Sequence, residues 1–420
     1  MKSDEGNAVS DAEKTIPKVQ LSESGRLRSI DALRGFDMFW IIGAEGIVHA
    51  LQQTKQTPLT EFLSTQLEHV EWEGFRFYDL IFPLFLFIVG VSIVFSLDKM
   101  FATVGRWRAL GRVFRRAVLL WAFGVFYSGG LREPWPNIKL GGVLPRIAAC
   151  YLFAALIYAF IRKPRDLLIA AAVLLVGYWA LLTFVPIPDL PLTKEAVEAV
   201  AESIGSDSEF DIAAAVPNKV RGLYVEGRNL TNYVDFLYLP GRRAGEGYFI
   251  NEGLLSTMPA IALSLFGIVT GLLFKNDTVP PGRKLGWLAA FGGVVIALGL
   301  LWGLQFPIIK RIWSSSFILV AGGLSAWLAA LFYYIVDVRG WKLWCEPFVW
   351  IGCNPLTLYI VNRVVSFRDI ATRLVGGDVQ NFMDTRVAEG FGSVVIAATA
   401  LLLIVLLARF LYKHRIFLRL

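Results

Sequence analysis

Apolar residues in this chain gather into blocks of about 20, the length a helix needs to cross a hydrocarbon core roughly 30 Å thick. The blocks fall at approximately 30–51, 77–97, 108–128, 140–161, 166–185, 253–274, 285–305, 313–336, 346–365 and 391–412. The expected fold class is therefore all-α integral membrane, a bundle of about ten transmembrane helices with one long extracytoplasmic loop at 186–252. A soluble chain that is 55% apolar would need several separate cores to hide that surface. The 13 Trp and 31 Phe suit helices that end at membrane interfaces.

The segments between the blocks set the orientation. Arg106, Arg108, Arg112, Arg115 and Arg116 precede or open the third block, and Arg162, Lys163 and Arg165 lie between the fourth and fifth. Lys275, Arg283 and Lys284, then Arg339 and Lys342, occupy the next two connections of the same parity, and Lys413, Arg415 and Arg419 close the chain. Ten alternating helices put all of these on one side, which the positive-inside rule makes the cytoplasm, together with both termini. A multi-pass protein of the bacterial inner membrane is the expected location. Arg221, Arg228, Arg242 and Arg243 fall on the other side, in a long loop of the kind that follows the charge rule poorly.

Outside the blocks, residues 1–25 are polar and mixed in charge, with no apolar stretch of signal-peptide type; they read as a disordered cytoplasmic tail. Residues 26–420 are then one transmembrane domain. In the long loop, 193–204 has helical spacing, while 228–251, aromatic and Gly-rich, reads as a folded lid. The net charge of +7 is accounted for by topology, so no nucleic-acid partner is expected. Cys150, Cys345 and Cys353 show no metal-ligand spacing and imply buried thiols.

The first block is the unusual one, because Asp31, Arg34, Asp37 and Glu45 interrupt it. At 100° per residue, Asp31, Arg34 and Glu45 share an arc of about 60°. A common face must look into the bundle, since charge facing lipid is costly. Asp31 and Arg34, at i and i+3, can form a structural pair. Glu45 is about 21 Å further along the axis with no basic residue within a turn, which points to a functional role.

Of three histidines, His414 lies in the basic tail and His49 at a helix end. His69 differs, because Glu68, Glu71, Glu73 and Asp79 surround it at the entry to the second block. A carboxylate beside a histidine fixes the tautomer and leaves the other ring nitrogen free as an acceptor, which is what a general base requires.

The stretch from His69 through Trp72, Gly74, Asp79, Leu80, Phe82, Pro83, Phe85, Leu86, Phe87 and Ile88 to Gly90 resembles the heparan-α-glucosaminide N-acetyltransferase family, in its bacterial as well as its lysosomal members. Family-like segments follow the chain: R-x-x-S-x-D-x-x-R-G at 26–35, GVLPRIAACY at 142–151, NEGLLSTMPAI at 251–261, WSSSF at 313–317 and GCNPLTLY at 352–359. The resemblance implies acetyl transfer from cytoplasmic acetyl-CoA to a glucosamine amine on the far side, with His69 as the key residue. The family has a functional Asn near the end of its first helix; this sequence has Glu45 there, and a longer segment from Glu45 to His69.

Under that resemblance His69 is the base or the acetyl acceptor, oriented by Asp79 or Glu45, and Glu45 can also hold the ammonium form of an amino sugar. Arg34 and Arg146 are candidates for the CoA phosphates on the cytoplasmic side, and Asn354 and Ser315 for hydrogen bonds within the bundle. The expected partners are acetyl-CoA as co-substrate, an amino sugar or saccharide, the lipid bilayer and a second copy in a homodimer; no metal is expected. The competing reading is a transporter of N-acetylglucosamine or a related sugar without chemistry, since buried charges in ten helices suit that class too.

Overall fold

The first apolar block is two helices joined by a wide turn. Helix α1 (Arg28–Phe39) runs into a π-helical stretch, Trp40–Ala44, and resumes as α2 (Glu45–Thr54). Gly43 adopts φ 135° inside that stretch, a backbone setting that L side chains avoid. The computed structural model describes residues 27–54, 57–132, 134–240 and 247–418. The expected tail 1–25, together with Arg242, Arg243 and Arg419, lies outside them.

After α3 (Pro58–Gln66) come α4 (Phe77–Val104), α5 (Arg106–Tyr127), α6 (Val143–Phe160) and α7 (Pro164–Phe184). The 186–252 region follows. A two-stranded antiparallel sheet joins β1 (Ile187–Pro188) to β2 (Lys219–Val220), with Ile187 opposite Val220. Around it lie α8 (Lys194–Ile204), α9 (Glu209–Ala215) and α10 (Leu230–Tyr238). The bundle continues with α11 (Thr257–Lys275), α12 (Pro281–Gly303) and α13 (Ser315–Phe332), the last prolonged by a π-helical turn to Val338. Then come α14 (Glu346–Cys353), α15 (Pro355–Val364), α16 (Phe367–Val375), α17 (Asp378–Arg386) and α18 (Phe391–Lys413).

Among the described residues, seven stretches are long and apolar enough to cross a membrane: α4, α6, α7, α11, α12, α13 with its π turn, and α18. They coincide with seven of the ten expected blocks, and the chain is a mostly helical, multi-pass membrane protein. The other three blocks are also helical, each with a physical reason for standing apart. The first carries buried charge and the π turn, α5 carries five arginines, and the ninth breaks at Asn354, where Pro355 opens α15. Helices α16 and α17 fill 366–390, a stretch with no expected element; their apolar residues Leu374 and Phe382 are exposed.

Lipid is as apolar as leucine, so helices in a membrane associate by close packing over small residues. The contact between α4 and α11 follows this rule. A Cβ on Gly90 would lie 2.0 Å from the Ser264 carbonyl oxygen, and one on Gly267 2.0 Å from that of Phe87. Gly35 and Gly352 bring α1 against α14 in the same way. At the far end of α4, Asp98 accepts from Tyr158, Arg162 and Lys275, tying α4, α6 and α11 together.

The 186–252 region has a small core of its own, built on Leu192, Val197, Ile212 and Phe236. Helix α8 starts where Thr193 caps the Ala196 N–H, at the stretch expected to be helical. Ile187 and Leu230 pack with Tyr178, Leu182 and Phe306, which seats the region on one end of the bundle. That end carries His69.

Candidate active site

Asp79 organises the site through the way its own helix begins. Arg76, with extended backbone, precedes α4, and its N–H is donated to Asp79 Oδ2 at 3.0 Å. One carboxylate oxygen thus satisfies an orphan amide at the helix start. The other, Oδ1, lies 2.9 Å from His69 Nδ1. The Asp79 side chain is fully buried, while that of His69 is 53% exposed. The ring is therefore anchored on the protein side and open on the other. Tyr78 lies beside it, ring centres 4.8 Å apart, and the Arg76 guanidinium donates to the His69 carbonyl at 3.3 Å.

A lysine completes the cluster, and sequence reasoning missed it. Gly74 donates its N–H to the Ile308 carbonyl at 2.8 Å, and Glu73 forms an isolated β-bridge with Ile309. These bonds pin the segment around His69 to the connection between α12 and α13, and so bring in Lys310. Its Nζ lies 2.8 Å from His69 Nδ1, 3.1 Å from Nε2 and 3.3 Å from Asp79 Oδ1. Burial pushes the Lys310 ammonium below the ordinary lysine range, and the neighbouring Asp79 carboxylate pulls against that shift. The available signal was its place three residues before the WSSSF segment. Trp72 Nε1 donates to the Tyr224 carbonyl at 2.8 Å, and Arg311 pairs with Glu226, so the 186–252 region borders the same cluster.

The other expected site residues divide by depth. Arg34 Nη1 lies 3.2 Å from Asp31 Oδ1 and from the Gly352 carbonyl, and Nη2 lies 2.6 Å from Ser92 Oγ. Ser92 stands thirteen residues along α4 from Asp79, about 20 Å at helical rise. Asn354, two residues beyond Gly352, is 3% exposed, and neither side-chain amide atom has a partner among the described residues. Arg34 therefore sits in the bundle away from His69, at the Gly352 carbonyl that precedes the buried Asn354.

Arg146, expected like Arg34 to be a cation for the CoA phosphates, occupies a different place in the bundle from Arg34. It lies one turn into α6, at the His69 end, because α6 begins where α5 has returned to that end. Its Nη2 donates to Gly253 O at 3.1 Å and to Ser256 Oγ, and its guanidinium stacks 4.7 Å over Trp313, whose ring meets Phe82. Ser315 is at this end too, fully buried, with its Oγ donated to the Leu175 carbonyl at 2.7 Å. It ties α13 to α7.

The shared face expected for Asp31, Arg34 and Glu45 assumed one regular helix, and the backbone between them is not regular. Counting 100° per residue does not carry across the π-helical turn and Gly43, so that count no longer relates Glu45 to Arg34. Its Oε2 is buried without a partner, and no hydrogen bond joins Glu45 to His69 among the described residues. No cluster of His, Cys, Asp or Glu suited to a metal occurs among those residues.

Residues 26–194 match the family described as heparan-alpha-glucosaminide N-acetyltransferase, catalytic. A mouse (Mus musculus) protein of that name is 24% identical over 96% of this chain, and a human (Homo sapiens) one is 26% identical over 71%. The chain resembles the heparan-alpha-glucosaminide N-acetyltransferases. It spans 61% of the length of the mouse relative and 48% of the human one. The matched segment contains His69, Asp79, Arg34, Glu45 and Arg146, while Lys310, Ser315 and Asn354 lie beyond it.

Proposed function

We propose that this protein is a transmembrane acetyltransferase, moving acetyl from cytoplasmic acetyl-CoA to the amine of glucosamine or a glucosamine-containing saccharide on the opposite face. One observation carries the reading: a solvent-facing histidine held 2.9 Å from a buried carboxylate, inside the segment that matches an acetyltransferase family. Ten spans place both termini and the basic connections in the cytoplasm, in a bacterial inner membrane on this reading, and put His69 and the 186–252 loop outside.

Each step then has a residue. Nδ1–H of His69 donates to Asp79, which leaves Nε2 as the proton acceptor. The amine nitrogen attacks the thioester carbon, its proton passes to Nε2, the C–S bond breaks, and CoA leaves as the thiolate. Lys310, beside the same ring edge, supplies positive charge for the developing oxyanion. A two-step path through acetyl-His69 uses the same groups. Arg34 and Asn354 line the way the donor takes from the cytoplasmic side, Arg34 as a cation and Asn354 as an amide free to bond. Glu45 and Ser315 are given no role in proton transfer here, and Arg146 holds the segment at 251–256 in place.

Proteoliposomes test this against the transport reading. Labelled acetyl-CoA on the cytoplasmic face and glucosamine on the other should yield N-acetylglucosamine on the glucosamine side only. Sugar accumulation that proceeds without acetyl-CoA would support transport instead.

A further inference from the structure

A cavity of about 370 Å³ opens between α5, α6, α15 and the segment at 249–252, near the lower end of the usual size for small-ligand sites. Its aromatic wall is Tyr127 and Tyr359, stacked with ring centres 4.6 Å apart and planes at 18°. Polar groups come from Lys139, Asn251 and Glu252. The segment that supplies Glu252 is held tightly. Arg146 donates to the Asn251 and Gly253 carbonyls on either side, and Asp235 accepts the Leu254 N–H at 2.9 Å. Gly253 must be glycine for this, since a Cβ there would lie 1.8 Å from Asp235 Oδ2. Glu252 shares the cavity lining with Tyr359, and Arg146, which holds the neighbouring Gly253 carbonyl, stacks on Trp313, whose backbone N–H is donated to the Lys310 carbonyl at 2.9 Å.

We infer that this cavity is the acceptor site and that it takes a single amino-hexose ring. Glu252 holds the ammonium group on the side toward His69, and a tyrosine face covers the C–H face of the sugar. The inference rests on the acetyl-transfer reading and sharpens it, moving recognition of the amine from Glu45, on another helix, to Glu252. A carboxylate there favours a protonated amine over a hydroxyl, which discriminates glucosamine from glucose before any chemistry. Lys139 and Asn251 are left for the ring hydroxyls.

Two variants of the full-length protein test it, E252Q and Y359L. Losing a charge-assisted hydrogen bond is expected to raise KM for glucosamine roughly tenfold or more. KM for acetyl-CoA should stay unchanged in E252Q, which a general loss of structure would not permit. Y359L should also raise KM for glucosamine, and it carries the test if E252Q does not fold. Wild-type KM for glucosamine in both variants would overturn the inference. Thermal shifts with glucosamine and with glucose need no turnover and separate the two failures. If wild type transfers no acetyl group yet glucosamine alone stabilises it, and E252Q abolishes that effect, the cavity assignment stands while the acetyl-transfer reading falls. Equal shifts with the two sugars in wild type would overturn the cavity assignment.

Discussion

His69 and Asp79 stand ten positions apart in sequence, and the helix start between them sets their geometry. The capping bond from the Arg76 N–H turns Asp79 so that its second oxygen faces the imidazole. Both residues were legible, because a histidine among carboxylates at a helix entrance already carries the chemical idea. Lys310 was not, because its approach depends on two backbone contacts, Gly74 to Ile308 and Glu73 to Ile309, which leave no pattern along the chain. Its role makes a specific prediction. Lys310→Ala should lower kcat by roughly 10²–10³, the usual effect of losing an oxyanion donor. Lys310 loses its proton below the ordinary value of 10.5, so activity should decline on an alkaline limb below that pH, as the cation becomes neutral. Lys310→Arg should remove that limb, and pH–rate profiles of the two proteins check it.

Among the elements, most boundaries follow from apolar length, and the departures have local causes. The π-helical turn at Trp40–Ala44 is invisible to periodicity, and it upset the expected common face of Arg34 and Glu45. The ninth block was expected as one span, and it breaks at Asn354, where Pro355 opens α15. The place of Arg146 was not legible from its chemistry: an arginine suits phosphates, but helix direction sets this one against Gly253 and Trp313. The glycine contacts give a second prediction. Gly90→Ala should force α4 away from Ser264 and cost about 1–3 kcal/mol, seen as a lower Tm in detergent. The third concerns Asp235 on α10, outside the membrane. Burial pushes its carboxyl up to about 7, against the Leu254 N–H and Arg146. The fold therefore prefers the protonated form, and stability should fall as pH rises from about 4 to about 7, a span worth on the order of 4 kcal/mol. Asp235→Asn keeps an acceptor for the Leu254 N–H and should flatten that dependence of Tm on pH.

For the whole molecule, the arrangement separates two polar centres along the bundle. Ser92, which Arg34 touches, lies about 20 Å along α4 from Asp79, and the 186–252 region is seated at the His69 end. Under the proposed function, donor and acceptor arrive from opposite faces, and this layout offers a polar centre to each. The apolar blocks made the membrane character legible from the start. The depth of each polar residue was harder to read, because it depends on helix direction and on which neighbour each side chain meets. The central claim is that acetyl transfer occurs at His69. The most direct measurement follows label from acetyl-CoA to glucosamine in purified wild-type and His69→Ala protein, at matched folding and membrane insertion. The account predicts wild-type transfer and a loss of roughly 10²–10⁴-fold in the variant; transfer by His69→Ala at the wild-type rate would contradict it.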